Sequence, residues 1–383
     1  MKVLILGGDG YLGWPTAMSF SQIGHEVCVV DNFSKRKIEL ENGIEPLLPI
    51  APLHKRINTW NKNQNNKINI EIGSLMNHRF VYGICERYKP EVIIHYAEQP
   101  SAPYSMKGRE EAVYTQENNI VGNINLLFAI KSFCPDAHLI KLGTMGVYGT
   151  PNIDIEEGFI DIVHNGRKDK LPFPKQPLSF YHLSKSIDSQ NIEFVCKTWQ
   201  IRSTDLNQGV VYGLKTQETE LHKDFNTSFH YDSIFGTVIN RFLTLAATGN
   251  DMLVYGEGNH KRTFLNLLDT IQCVKIASEN PPNKGEYRVF NQFTEVFSIM
   301  ELAELVKIQT KKKGISASIK KIINPRVEKS NHYFNPKNEN FLKLGLKPRK
   351  ISEVILNEMI DKIIANKDNV NKEIIFPEIK WKK

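Results

Sequence analysis

Tyr181 and Lys185 stand four residues apart, with His182 beside the tyrosine, in a segment whose pattern predicts a helix over 181–199. That spacing sets phenol and ammonium on one helix face. A lysine ammonium and an oxidised nicotinamide near a phenol stabilise its phenolate, so Tyr181 is a candidate base for a hydroxyl proton near neutral pH. Thr144 follows an apolar run at 138–142, and strand ends in parallel sheets face the ligand crevice. Thr144 is therefore the candidate hydrogen-bond partner of the same hydroxyl. A second constellation opens the chain, where Gly7, Gly8, Gly10 and Gly13 lie between a strand-like run and a helical one. Glycines there let backbone N–H groups and the positive helix end approach a pyrophosphate. Asp31 ends the next run, where an acid takes the adenosine ribose hydroxyls and favours NAD over NADP. Lys35 and Arg36 follow closely and leave a 2′-phosphate site as the alternative.

These residues need elements to hold them. Residues 2–6, 26–30, 68–72, 92–94 and 138–142 are short apolar runs suited to parallel strands covered on both faces. Helical stretches lie between them, notably 13–23 and 113–133. The pattern predicts an α/β fold, a doubly wound parallel Rossmann-type sheet with a smaller C-terminal substrate lobe. The expected division is a dinucleotide-binding domain over 1–206 and a substrate lobe over 207–383, some of whose segments return to the first domain. Two insertions interrupt the first domain. Residues 37–67 carry Pro46, Pro49 and Pro52 and an asparagine-rich end, suited to a lid or an oligomer contact. Residues 152–178 hold Asn165-Gly166 between strand-like runs, a two-residue hairpin signal placed to fold over a site. In the lobe, helices are expected at 233–248, 269–279 and 299–310 and a strand at 252–255. The lysines at 311–313 and 320–321 read as solvated helix faces.

Composition removes several classes. With 383 residues, 41% of them hydrophobic and 24% charged, the chain has the proportions of an ordinary globular protein. No run approaches the roughly 18 apolar residues of a membrane span, and the apolar start is too short for a signal peptide. Five scattered cysteines, odd in number and without paired metal spacing, suit a reduced cytoplasmic protein with no structural metal. A net charge of +7 is mild and permits a small anionic ligand; nucleic acid is not an expected partner.

Taken in order, the motifs resemble the extended short-chain dehydrogenase/reductases that act on nucleotide sugars. The resemblance runs nearly the whole length: the glycine loop, Asp31, His95-Tyr96-Ala97, Asn119 with Gly122, Thr144, Tyr181 with Lys185, Asn207 to Gly213, and Tyr255 to Gly258 leading to Arg262. Within that superfamily the chain is similar to the UDP-sulfoquinovose synthases. The similarity lies in Glu98-Gln99, Ser101 to Met106, Leu142 to Gly146, Tyr148 to Gly158, His164 to Arg167, Asp205 to Gly213, Asn324 to Glu328 and both insertions. The resemblance implies conversion of UDP-glucose and sulfite into UDP-sulfoquinovose and water, with NAD bound throughout. In that cycle C4 is oxidised, the C6 hydroxyl is eliminated, sulfite adds at C6 and C4 is reduced. A UDP-glucose 4-epimerase or dehydratase that does not use sulfite shares the first oxidation, and a silent NAD-sensing regulator is a third reading.

The resemblance also implies residue roles. Around NAD it places Tyr11 and Leu12 of the glycine loop, then Asn32, Ser34, Ser74, Leu75, Ala97, Gln99, Asn119 and Val211. Around the sugar it places Gln99, Ser101, Gln208 and His182. Related dehydratases carry an Asp-Glu pair after the threonine, where this chain has Met145-Gly146. Met145 occupies a catalytic position with no proton to give, so His182 is the first candidate for acid/base work and for sulfite, with Glu98 a weaker one. Tyr104 is assigned to packing. Pro100 stands where plant-type members have Arg, and Val147 where they have Glu. Arg241, Arg262 and Arg326 are the candidates for the diphosphate, because a planar guanidinium can bond two oxygens at once. Helices 113–133 and 181–199 are expected to pair in a homodimer, as in resembling proteins.

Overall fold

A computed structural model describes residues 1–327, 332–376, 379 and 381. Glu328, the last residue of one family motif, lies outside the described residues. Seven parallel strands form the central sheet in the order Tyr287–Gln292, Arg202–Gln208, His138–Thr144, Val92–His95, Lys2–Leu6, Glu26–Asp31 and Ile68–Ile72. Chain order reverses beside Lys2–Leu6, the kind of place where open parallel sheets leave a crevice at their carboxyl ends.

The apolar runs behave as their composition dictates. Val3 and Ile5 point to one face, against Trp14, Phe20, Leu53, Ile57 and Trp60, and Leu4 and Leu6 to the other, against Leu126, Leu127, Ile130 and Ile192. Both faces are dry, so near-continuous hydrophobicity replaces the alternation of a half-exposed strand. A third core, built on Tyr212, Phe229, Phe242, Leu302 and Ile360, belongs to the smaller lobe. There Lys261–Asn266 pairs with Val210–Tyr212 and Glu295–Ser298, and Met252–Tyr255 with Ile319–Ile322. The last strand of the central sheet, Tyr287–Gln292, comes from beyond this lobe's first elements.

Several expectations change. The helix expected at 113–133 begins earlier, at Arg109, and carries a π-turn at Glu117–Val121, between Arg109–Gln116 and Gly122–Phe133, that turns Asn119 fully inward. Such turns insert one extra residue and often mark functional positions. The helix expected at 233–248 starts only at Val238, because the Asp232 carboxylate accepts the N–H groups of Ile234 and Phe235 and holds a turn there. Insertion 37–67 is neither lid nor loose excursion. Its helix Leu53–Asn63 buries Leu53, Ile57 and Trp60 in the main core, while Pro46, Pro49 and Ile50 form cleft wall. The hairpin forms, Phe159–His164 with Arg167–Pro172, and Asn165 and Gly166 both take the positive φ (49° and 76°) its tight turn requires. It pairs with itself and lines no part of the cleft, so the expectation that it covers the site is not met. Lys320 and Lys321 lie on a strand, not a helix.

Candidate active site

A cleft of about 990 Å³ runs along the carboxyl ends of the strands, between the sheet and the lobe. Its first wall is the glycine loop. A Cβ on Gly13 would lie 2.0 Å from the Gly7 carbonyl oxygen, and one on Gly7 2.9 Å from the Ala97 nitrogen, so only glycine lets the loop close on the neighbouring strand end. Gly10, with only the Gly7 oxygen at 3.4 Å, opens to the cleft. No side chain caps the helix Gly13–Gln22; Trp14 and Thr16 donate to the Gly10 and Leu12 carbonyls and Pro15 has no N–H, so the Gly13 N–H is the one its first turn offers an anion. Asp31 accepts N–H groups from Asp9 (2.8 Å) and Phe33 (2.7 Å), which fixes its carboxylate at the cleft edge. Burial pushes that carboxyl up from its usual range, and hydrogen bonds from ribose hydroxyls would favour its charged form. The residues fit a dinucleotide with a free 2′-hydroxyl.

Lys35 and Arg36 line the cleft, but their charges are committed, which corrects the 2′-phosphate alternative. Arg36 donates to both carboxylate oxygens of Asp9 (Nε–Oδ2 2.5 Å, Nη2–Oδ1 3.0 Å). Lys35 pairs with Glu39 and lies 2.6 Å from His230 Nε2. Asp9 takes a third contact from Arg56, which comes from insertion 37–67, is fully buried and lies over the Trp14 ring at 4.8 Å. Sequence reasoning missed Arg56; an arginine on the apolar face of its helix, between Leu53 and Trp60, was the signal.

Tyr11, Leu12, Asn32, Ser34, Leu75, Ala97 and Val211 all line the cleft. The Tyr11 phenol is spoken for, donating to the Gly213 carbonyl at 2.5 Å and tying loop to lobe. Ser74, Gln99 and Asn119 stand outside that lining, each with its side chain engaged elsewhere in the protein. The Ser74 hydroxyl turns to Met76 N (3.2 Å) and Asn32. Gln99 spends its side-chain amide on Thr115 Oγ1 (2.8 Å) and the Ser101 carbonyl (3.0 Å). Asn119 accepts from Gln99 N (2.8 Å) and donates to Ser184 Oγ (2.9 Å). Gln99 and Asn119 are the frame behind the wall, held by the π-turn.

At the reacting end Thr144 and Tyr181 stand together on the cleft wall, where the threonine hydroxyl favours the phenolate. Burial, the largest cause, and the Glu98 carboxylate push the phenol's pKa up, while Lys141 and Thr144 draw it down. Lys185 lies with its ammonium 5.8 Å from the Tyr181 ring centre, behind the wall rather than in the cleft. His182 also stands outside the wall. Its ring is 5.1 Å from that of Tyr181, its Nδ1 is 2.9 Å from Ser179 Oγ, and its Nε2 would be 2.3 Å from a Cβ on Gly146. Met145 turns away into an apolar cluster with Val147, Tyr148, Ile155 and Phe173, which removes it as a catalytic contact. Tyr104 packs with Ile38, Ile44 and Ile234.

The far end is basic. Arg241, Arg262 and Arg326 line it with Gln208, and Ser101 lies on the wall between. Burial and the nearby Arg326 both make the charged form of Arg241 costly, a strain that an anion between the two would relieve. Among the described residues no group of acidic, histidine and cysteine side chains is placed to hold a metal.

A parallel sheet with a glycine-loop dinucleotide site, a Thr-Tyr-Lys group and a basic sugar-side cleft defines a nucleotide-sugar enzyme of the NAD-dependent kind. The model of the NAD dependent epimerase/dehydratase family matches residues 3–291. The fold is shared with UDP-glucose 4-epimerase from Thermotoga maritima, solved with UDP-glucose (TM-score 0.70, 20% identity, 96% of this chain and 99% of that one). This chain is 48% identical over 382 residues to the chloroplastic UDP-sulfoquinovose synthase of Spinacia oleracea, covering 100% of this chain and 79% of the relative. It is 38% identical over 386 residues to the UDP-sulfoquinovose synthase of Sulfolobus acidocaldarius, covering 100% and 98%. The chain belongs to the NAD dependent epimerase/dehydratase family and, within it, to the UDP-sulfoquinovose synthases.

Proposed function

We propose that this chain makes UDP-sulfoquinovose and water from UDP-glucose and sulfite, with NAD resident in the glycine-loop cleft. The observation that carries this reading is the reacting end: a Thr144–Tyr181 hydroxyl pair backed by the His182 ring, in the space a side chain at 146 would need. Asp31, the loop glycines and the first turn of Gly13–Gln22 hold NAD, which when bound takes hydride from the sugar C4 and returns it at the end of the cycle. Tyr181 removes the C4 hydroxyl proton, with Thr144 holding that hydroxyl in line, and gives the proton back when C4 is reduced. A ketone at C4 makes the C5 hydrogen acidic, and the C6 hydroxyl then leaves as water. His182 lies behind the cleft wall against the bare face of Gly146, and through that gap it moves the proton in the elimination; sulfite then adds at C6. Arg241, Arg262 and Arg326 hold the diphosphate, and Gln208 and Ser101 bound the glucose.

Purified protein given UDP-glucose with and without sulfite tests this. A sulfonated nucleotide sugar that forms only with sulfite is expected; an unsulfonated isomer or enone as the sole product in both arms would refute it.

The working unit is a homodimer. Val121, Ile124 and Phe128 on one helix and Leu183 and Phe194 on the neighbouring one are 36–62% exposed, an apolar patch of the kind that marks an interface. The expected solution mass is twice 43.9 kDa, and Phe194→Glu is expected to give 43.9 kDa in sedimentation equilibrium. A monomeric parent, or a variant that stays paired, would remove the assignment. No helix among the described residues is long and apolar enough to cross a membrane. All five cysteines are buried and unpaired, which supports a reducing compartment, and we assign the cytoplasm.

A further inference from the structure

Beside the proton-transfer site lies a group of buried charges centred on Glu98, which the sequence offered only as a weaker acid/base candidate. The Glu98 side chain is 1% exposed, and its two carboxylate oxygens meet two different ammonium groups, Lys141 on the strand His138–Thr144 and Lys185 on the helix Phe180–Trp199. Lys141, equally buried, also reaches Asp188 Oδ2 at 3.3 Å, and Lys185 donates to the Leu142 carbonyl at 2.5 Å. A lysine in the middle of a core strand is costly to bury, and is tolerated where the charge is paired on all sides.

We propose that Glu98, anchored by Lys141, is a positioning residue of the proton-transfer site. It holds Lys185 in place and sets the balance of charge felt by the Tyr181 phenol. This rests on Tyr181 as the base. Three elements of the central fold meet at this carboxylate, so the Tyr181–Lys185 spacing alone does not define the unit. The other charged groups facing it are His95 at 3.7 Å from Glu98, Asp188 beside Lys141, and, farther off, the buried Asp205 and the half-buried Lys175. Burial takes the His95 imidazole down to about 3, so it stays neutral in the working range.

The sign of the effect follows from the neighbours. Glu98 raises the proton affinity of both Tyr181 and Lys185; Lys185 still comes down to about 8, because burial, the largest cause, and the Lys141 charge outweigh it. Removing the anion therefore lowers both affinities together. For Glu98→Gln, the whole pH profile of kcat for sulfonated product is expected to move to lower pH by about one unit, as loss of one close charge dictates. KM for UDP-glucose is expected to change less than about threefold, since the Glu98 carboxylate is 1% exposed and spends both oxygens on Lys141 and Lys185. Glu98→Asp keeps the charge on a shorter arm, so its profile should stay in place while kcat falls about tenfold or more through misplacement of Lys185. A profile that stays still or moves to higher pH in Glu98→Gln overturns the proposal. If Glu98→Gln does not fold, Glu98→Asp with unchanged kcat overturns it equally. An active Tyr181→Phe enzyme would instead sink the assignment of the base, whatever the Glu98 variants do.

Discussion

Tyr181→Phe is expected to lower kcat for UDP-sulfoquinovose formation by about 10³-fold, within the range general base catalysis supplies, while bound NAD stays at the parent level. The change deletes one oxygen. The ring keeps its packing against His182 and its place over Lys185 (5.1 and 5.8 Å), and the glycine loop and Asp31 are untouched. What goes is the group that takes the C4 proton, beside the Thr144 hydroxyl. Burial and the Glu98 carboxylate keep the phenol a weaker acid than a free tyrosine even with Lys141 and Thr144 drawing it down, so the positive charge of a bound oxidised nicotinamide matters as much as the oxygen. Steady-state rates and NAD extracted from denatured protein check the two halves separately; a kcat within tenfold of the parent would rule Tyr181 out as the base.

The second large effect is expected from one methyl group. Gly146→Ala puts a Cβ where His182 Nε2 and Cδ2 now lie, at 2.3 and 2.4 Å, and those are closer than any real contact. The ring cannot simply turn, because its Nδ1 is engaged by Ser179, whose hydroxyl also caps the helix by accepting the His182 N–H at 3.2 Å. His182 must shift. Sulfonated product is expected to fall by about 10²-fold, the lower part of the acid/base range, while oxidation at C4 survives because Thr144 and Tyr181 keep their hydroxyls. The two are separated by product mass and by the absorbance of reduced cofactor when UDP-glucose is added without sulfite. Full sulfonation in Gly146→Ala would show that the position of His182 does not matter to the elimination.

Much of the scaffold was legible because parallel strands buried on both faces are written as plain apolar runs, and the hairpin because Asn165-Gly166 is nearly a literal turn code. Thr144, Tyr181 and the glycine loop were legible because each sits at an element end with a local signature. The supporting shell was not. Gln99 and Asn119 have the residue types of ligand contacts, yet a π-turn, which leaves no apolar-period signal, sets them facing each other. Met145 is adjacent to Thr144 in sequence but on the other side of a short turn, where an apolar cluster wins it. Lys141 was hidden inside the strongest strand run, and its partners Glu98 and Asp188 come from segments far away in sequence, so nothing local announced the pair.

The three-way contact of Asp9 with Arg36 and Arg56 has a consequence for how this protein can be taken apart. A nucleotide-binding start of a chain is commonly thought of as a cassette, a strand, a loop and a helix that work wherever they are spliced. This one is not portable. Transplanting residues 1–36 would carry the loop and Asp31 but leave behind the buried guanidinium that also holds the Asp9 carbonyl at 3.1 Å. The helix that carries Arg56 docks beside Trp14 and so completes the support of the loop. The proline-rich detour is thus the second half of the cofactor site, written later in the gene.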